Sequence, residues 1–178
     1  MNKITKTIIG LSISLSAALA NAECVVDGEY LKSLAKKETP KEIGCDVELF
    51  VNDSSLKKYS SDRFMLMSMK DHNVEVLDLT DMDSSLMYSI NMSGNTKLKE
   101  IKLGDITRIS KLTFNDSKIT DLTFLSDINS VRIITNTNIK KFPDEDSKFC
   151  DGAKSYKIDI TGKENKAAMI EACDIEVK

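Results

Sequence analysis

Residues 64–72, FMLMSMKDH, set a pattern that the sequence repeats three more times. The later copies are MYSINMSGN (87–95), ISKLTFNDS (109–117) and INSVRIITN (128–136), and successive copies begin 23, 22 and 19 residues apart. Each copy reads apolar-x-x-apolar-x-apolar-x-x and then Asn, His or Ser. Because alternating apolar residues are typical of a strand with one buried face, the copies predict short strands that lie side by side in one parallel sheet.

Further apolar pairs follow three of these copies and are expected to point inward from the opposite side of the structure. They are Leu98 and Ile101, Ile119 and Leu122, and Ile139 and Phe142. A single repeat cannot bury its own upper and lower surfaces, so neighbouring repeats are predicted to stack. The polar residue that ends each copy is predicted to bond to backbone groups of its own and of the adjacent repeat. A weaker copy spans residues 47–59, and residues 158–160 are predicted to form a closing strand.

A second register competes with this one. The same apolar spacing occurs in Val74-x-x-Leu77-x-Leu79 and in Leu98-x-x-Ile101-x-Leu103. We favour the first register because it occurs four times and ends in a polar turn residue, which the second register lacks.

The copies resemble the leucine-rich repeat superfamily. Runs such as Ser117-Lys-Ile119-Thr-Asp-Leu122 are most similar to the internalin type of bacterial surface proteins. The resemblance implies an α/β solenoid, in which residues 47–143 form a short leucine-rich-repeat array with parallel strands on the concave face. Open ends of a solenoid expose apolar surface, so small helical, disulfide-closed caps are predicted at 23–46 and 144–178.

The resemblance also implies a protein partner, because the concave strand face of this family commonly binds proteins. The strand positions predicted to face solvent there are Leu66, Ser68, Lys70, Asn91, Lys111, Thr113, Asn115, Arg132 and Ile134. Among them Arg132, Leu66 and Ile134 are favoured, because Arg and apolar anchors are common at interface centres. Lys111 is chosen for its position alone.

Residues 1–22 are predicted to be a cleavable signal peptide. An apolar segment at 8–19 follows two lysines and precedes Ala20-Asn21-Ala22, which is typical of a cleavage site. The segment is too short to span a bilayer as a helix, and no later apolar segment approaches the length of a membrane span. We therefore expect the mature protein in the periplasm or outside the cell, with no membrane partner.

The four cysteines lie near the two ends of the predicted mature chain, at Cys24, Cys45, Cys150 and Cys173. Export to an oxidising compartment predicts disulfides, and four cysteines allow three connectivities. Pairing of sequence neighbours, Cys24–Cys45 and Cys150–Cys173, closes two loops that each contain a predicted helix, at 29–37 and 164–172. The competing interpretation is a zinc site built from all four thiolates, which the absence of a C-x2-C pair disfavours.

Composition and motifs exclude several classes of protein. A single His among 178 residues rules out sites that need two or more imidazoles. A net charge of -3 disfavours nucleic acid and anionic membrane as partners. The sequence contains no nucleophile elbow, phosphate loop, paired catalytic carboxylates or zinc signature. We therefore expect no enzyme activity and no cofactor.

Three other functions stay open at this point. A periplasmic inhibitor or immunity protein for a secreted toxin agrees with the small size and acidic charge. A soft-metal site would use Met65, Met67, Met69 and His72, because thioethers select Cu(I). In the repeat pattern, however, Met67 and Met69 occupy core positions and His72 occupies the polar turn position. A structural envelope component without a specific ligand is the third alternative.

Overall fold

The computed structural model describes residues 23–35, 64–155 and 158–176, and within them the chain has an α/β fold with two all-parallel sheets. The strands are β1 (Val25–Asp27), β2 (Phe64–Ser68), β3 (Val76–Asp78), β4 (Met87–Asn91), β5 (Glu100–Lys102), β6 (Arg108–Thr113), β7 (Ser130–Thr135) and β8 (Asp159–Ile160). The helices are α1 (Gly28–Ala35), α2 (Lys148–Ser155) and α3 (Lys163–Ala172), and a 3₁₀ turn lies at Thr123–Leu125.

The chain alternates between the two sheets from β1 to β6. The larger sheet has the order β2-β4-β6-β7-β8, and the smaller sheet has the order β1-β3-β5. Beyond these strands, Asp121 and Lys141 form an isolated parallel bridge. Both of the apolar patterns that compete in the sequence therefore form strands. The first pattern supplies strands of the larger sheet, and the second supplies β3 and β5 of the smaller sheet.

Three of the four sequence copies align in the larger sheet as predicted. Met67 of β2 lies beside Ile90 of β4, and Ile90 lies beside Leu112 of β6. The predicted register of the fourth copy is wrong, because Leu112 lies beside Ile134 and not beside Val131. The predicted closing strand is present as β8, whose Ile160 pairs with Ile134.

One continuous hydrophobic core collects the inward side chains of both sheets. Met67, Ile90, Leu112 and Ile134 form its central row and are each no more than 1% exposed. Each such side chain contributes about 1.5–3 kcal/mol through burial. The six residues predicted to point inward from the opposite side are all buried: Leu98, Ile101, Ile119, Leu122, Ile139 and Phe142.

A left-handed residue follows each of the first three strands of the larger sheet. Asp71, Gly94 and Asp116 occupy equivalent positions and have φ angles of 63°, 76° and 64°. At Gly94 the packing also excludes a side chain, because a Cβ there would lie 1.7 Å from Oδ1 of Asp71. Glycine adopts positive φ without strain, and Asp tolerates it better than most residues do. The chain thus leaves each strand through the same turn.

Asn95 is fully buried, and its side chain connects two neighbouring repeats. Its Oδ1 accepts the N–H of Val74 at 2.9 Å and the N–H of His72 at 3.2 Å. Its Nδ2 donates to the carbonyl oxygens of Met69 at 2.6 Å and Met92 at 2.8 Å. This is the bonding that the sequence predicts for the polar residue at the end of a repeat.

Asn165 of α3 makes a similar connection at the other end of the larger sheet. Its Nδ2 donates to the carbonyl oxygens of Asn136 at 2.8 Å and Thr161 at 2.7 Å, and its Oδ1 accepts the N–H of Ile139 at 3.3 Å. Asn136 is itself buried and donates through Nδ2 to the carbonyl oxygen of Ile119 at 3.0 Å. These bonds fix α3 to the last repeat.

A disulfide joins Cys150 of α2 to Cys173, which directly follows α3, as predicted. Cys24 is buried and disulfide-bonded, and its predicted partner Cys45 lies outside the described residues. The helix predicted at 164–172 is present as α3, and α1 confirms the part of the helix predicted at 29–37 that lies within the described residues. The sequence did not predict α2.

The predicted signal peptide and the weak copy at 47–59 lie outside the described residues. Among the helices that the structure describes, none has both the length and the hydropathy needed to cross a bilayer.

Candidate functional site

The outer face of the larger sheet is the candidate site, because it carries most of the residues predicted to bind a partner. The strand pairing places its side chains in two rows across the sheet. The first row consists of Leu66, Ser89, Lys111, Ile133 and Asp159, and the second of Ser68, Asn91, Thr113 and Thr135. The alternate side chains of the same strands, such as Ile90 and Leu112, enter the core.

Five of the predicted binding residues lie on this face with accessible surface. Lys111 and Arg132 are exposed, and Leu66, Ser68 and Asn91 are half-buried. The Asn91 side chain caps the following turn, because its Oδ1 accepts the N–H of Ser93 at 3.1 Å. These residues form a mostly polar surface, and its two cations pair with no acidic residue in the part of the chain that the structure describes.

Lys70 lies one residue beyond the strand pairing, after β2. It is exposed, and its Nζ lies 3.6 Å from the carboxylate of Asp71. Because both side chains are more than 60% exposed, this ion pair contributes little to stability. Lys70 is therefore at the margin of the face.

The prediction that Ile134 faces solvent is wrong. Ile134 is 0% exposed and packs in the core, whereas its neighbour Ile133 is 38% exposed. Ile133 is the one large apolar side chain that is exposed among the residues described. It replaces Ile134 as the apolar residue of the candidate site.

A β-bulge is the physical reason for this exchange. Tyr88 of β4 pairs with Ile109 of β6, but Ser89 pairs with Lys111, so Ser110 is an extra residue. β6 and β7 then pair without a shift, which means that β7 carries the same bulge at Arg132. Both strands therefore bury residues three positions apart, and two consecutive residues of each strand lie outside the core.

Thr113 and Asn115 are less accessible than predicted. Thr113 belongs to the outer row but is only 7% exposed, because Asn91 and Thr135 flank it on the neighbouring strands. Asn115 follows the strand and is half-buried. Neither Oγ1 of Thr113 nor Oδ1 of Asn115 reaches a hydrogen-bond partner among the described residues. Thr113 therefore offers almost no surface to a partner, and Asn115 offers only part of its surface.

Arg108 is a basic residue of this sheet that sequence reasoning missed. It begins β6, is half-buried, and its Nη2 donates to the carbonyl oxygen of Ser85. The sequence signal was its place directly before the apolar position Ile109, at the edge of the third copy.

The methionines of the soft-metal hypothesis are mainly core residues. Met67 and Met69 are 0% exposed, and Met65 packs against the core. The backbone N–H of His72 donates to Asn95, which places this residue in the turn between repeats. Across the described ranges, no group of three or more His, Cys, Asp or Glu side chains could hold a metal ion.

The smaller sheet presents charges that already compensate each other. Lys99 lies 2.7 Å from Glu23 and 3.6 Å from Glu75, and Lys102 lies 3.3 Å from Asp78. Burial tends to raise the pKa of Asp78, but hydrogen bonds from Thr80 and the contact with Lys102 outweigh it and lower that pKa below its usual value.

A groove of about 490 Å³ lies beside β5 of the smaller sheet. Its charged lining includes Lys99, Lys102 and Asp121, and each of these is already in an ion pair. The cations of the larger sheet that pair with no described residue are thus the stronger indication of a binding surface.

The chain matches no protein-family model, no curated protein and no solved structure in the three comparisons made.

Proposed function

We propose that this protein is a short, exported, leucine-rich-repeat-like solenoid that binds a protein through the outer face of its larger sheet and has no catalytic activity. The observation that carries the proposal is the pair of bulged strands β6 and β7. They present Lys111, Arg132 and Ile133 on the outer face of the sheet, while the inner face of the same strands packs in the core. Arginine and apolar side chains are enriched at interface centres.

The repeat character of the proposal is supported by three recurring features. Strands from successive sequence copies pair in parallel, a left-handed residue ends each of the first three, and Asn95 bonds to the preceding repeat. Stacked repeats of this kind expose one sheet face over an extended area, which suits a protein surface. The disulfide between Cys150 and Cys173 supports export to an oxidising compartment.

Site-specific photo-crosslinking tests the binding face. A photoreactive amino acid is introduced at Ser89 or Lys111 on the proposed face, and at Lys97 or Lys166 as exposed controls away from it. Each variant is expressed with its native leader in a bacterial cell and irradiated. We expect a defined crosslinked protein from the two face positions and none from the controls. Crosslinks from the controls alone, or from none of the four positions, would contradict the proposal.

A further inference from the structure

We infer that the partner presents acidic side chains around an apolar one, and that it docks on Lys111, Arg132 and Ile133. We refer to these three residues as the triplet. The inference rests on the proposed function and names the chemistry of the partner. It depends on the distribution of charge between the sheets, on the geometry of the bulge and on the small number of cations.

Charge is distributed unequally between the two sheets. The strands β2, β4, β6 and β7 contain Arg108, Lys111 and Arg132 and no Asp or Glu. The whole chain nevertheless has 28 acidic and 25 basic residues, and each strand of the smaller sheet contains an acidic residue. On the edge strand β8, Asp159 lies directly beside Ile133 and is the one acidic residue in the two outer rows of this sheet. An acidic protein thus carries a locally basic face.

The two outer cations of this face are available to a partner. The side chains of Lys111 and Arg132 are exposed and form no ion pair or hydrogen bond with any residue that the structure describes. By contrast, Arg108 at the start of β6 already donates to a backbone carbonyl. Complementary charge across an interface increases association rate and specificity. Acidic side chains are therefore the complement of this surface.

The bulge places an exposed apolar side chain next to both cations. Ile133 lies directly beside Lys111 in the strand pairing and next to Arg132 in sequence. Its exposed surface gives a partner an apolar contact, and association that removes this surface from water is favourable. On β4, the polar residue Ser89 lies directly beside Lys111 of the triplet. A partner that matches the triplet needs an apolar side chain with carboxylates next to it.

A protein partner agrees better with these observations than nucleic acid or lipid. Specific nucleic-acid binding commonly uses about 6–10 phosphate contacts, and clusters of about 4–8 Lys or Arg are typical of anionic membrane surfaces. The triplet offers one apolar side chain and two cations that have no ion pair within the described ranges. That combination is typical of a protein interface and too weakly charged for a polyanion.

Selection from a displayed library of random short peptides tests the inference, with the full chain as immobilised target. We expect the selected peptides to be enriched in Asp and Glu next to an apolar residue. Lys111→Glu combined with Arg132→Glu should weaken their binding about tenfold or more, because like charges then face each other. Lys97→Glu with Lys166→Glu changes net charge equally and should leave the affinity unchanged.

The outcomes separate this inference from the proposed function. The selected peptides could lack acidic enrichment and yet fail to bind the Ser89→Arg variant. That result would overturn the inference of an acidic partner but would keep this face as the binding site. Peptides whose binding is unaffected by every face variant, or the absence of any binding peptide, would count against both the inference and the proposed function. An oligonucleotide or phosphatidylglycerol vesicles that bind as tightly, and depend on the triplet, would overturn the inference in favour of nucleic acid or lipid.

Discussion

The side-chain oxygen of Asn95 accepts the backbone N–H of Val74 at 2.9 Å, although the two residues belong to successive repeats. Val74 is 0% exposed, so its N–H has no access to water. Val74 can therefore be buried directly after the turn that leaves β2, because the Asn95 amide satisfies its backbone N–H. One side chain thus couples the packing of two repeats.

Replacement of Asn95 by Ala should lower the free energy of unfolding by about 3 kcal/mol, since it leaves several buried backbone groups without partners. Urea unfolding followed by circular dichroism measures the change. Asn138→Ala is the matched control, because Asn138 is exposed and should lose less than about 0.5 kcal/mol. Equal stability of the two variants would show that the Asn95 bonds contribute nothing.

Asn165→Ala should destabilise the carboxyl-terminal end of the protein without loosening the rest of the fold. The variant removes the bonds to Asn136, Thr161 and Ile139, and we expect about 2 kcal/mol of destabilisation. Hydrogen exchange should become faster in 158–176 while β2, β4 and β6 keep their protection. Uniformly faster exchange along the whole chain would contradict a local role for Asn165.

Removal of the carboxyl-terminal disulfide should also destabilise the protein. Cys150 and Cys173 are 23 residues apart, and loss of a crosslink of this size costs roughly 3 kcal/mol. Cys150→Ala with Cys173→Ala therefore should unfold at lower urea concentration.

Peptide mapping by mass spectrometry without reduction should link Cys150 to Cys173 and Cys24 to Cys45. A peptide that joins Cys24 to Cys173 would contradict the assignment.

Tyr88 should make the protein sensitive to alkaline pH. Tyr88 is 0% exposed, and its hydroxyl donates to the carbonyl oxygen of Asp83 at 2.7 Å. Burial, and secondarily the charge of Asp83, raises the pKa of Tyr88 from 10.0 to about 12. Because the folded pKa is the higher one, the stabilisation is complete below pH 10 and is lost as pH rises toward 12.

The test compares the wild type with Tyr88→Phe by chemical unfolding at neutral and alkaline pH. At neutral pH the variant should be less stable by about 1 kcal/mol, because it lacks one hydrogen bond. At alkaline pH this difference should shrink or reverse, since the variant has no phenol to ionise. A constant difference over the whole range would show that Tyr88 does not titrate in this way.

The α/β class and two of the strand registers could be predicted because they depend on local apolar spacing. Met67, Ile90 and Leu112 have the same spacing to the next apolar residue, and the structure places them side by side. The Asn95 bonds could be predicted because an amide at a turn satisfies nearby backbone groups. Such features need only a few neighbouring residues.

The second sheet and the bulge could not be predicted from the same spacing. Two registers fitted the sequence, and only the folded chain shows that it uses both. Ile133 and Ile134 are adjacent and equally apolar, so periodicity alone does not say which one is buried. The pairing of β7 with the bulged strand β6 decides it.

Helix α2 was missed for a similar reason. Its sequence contains Asp151 and Gly152, which are poor helix formers. Gly152 is required by packing, because a Cβ there would lie 2.7 Å from the carbonyl oxygen of Asn129.

The basic face could be recognised in the sequence only once the strands were assigned to sheets. In both cases tertiary contacts decide a feature that local sequence does not.

The free energies of unfolding of Ile134→Ala and Ile133→Ala test the central claim most directly, because the claim assigns these neighbours to opposite faces of the larger sheet. We predict that Ile134→Ala loses about 2–5 kcal/mol, as is usual for a large core residue. Ile133→Ala should lose only about 1 kcal/mol, because its side chain is partly exposed and Ala is a poorer strand former than Ile, and it should weaken partner binding. Equal losses, or a larger loss at Ile133, would contradict the register and with it the proposed binding face.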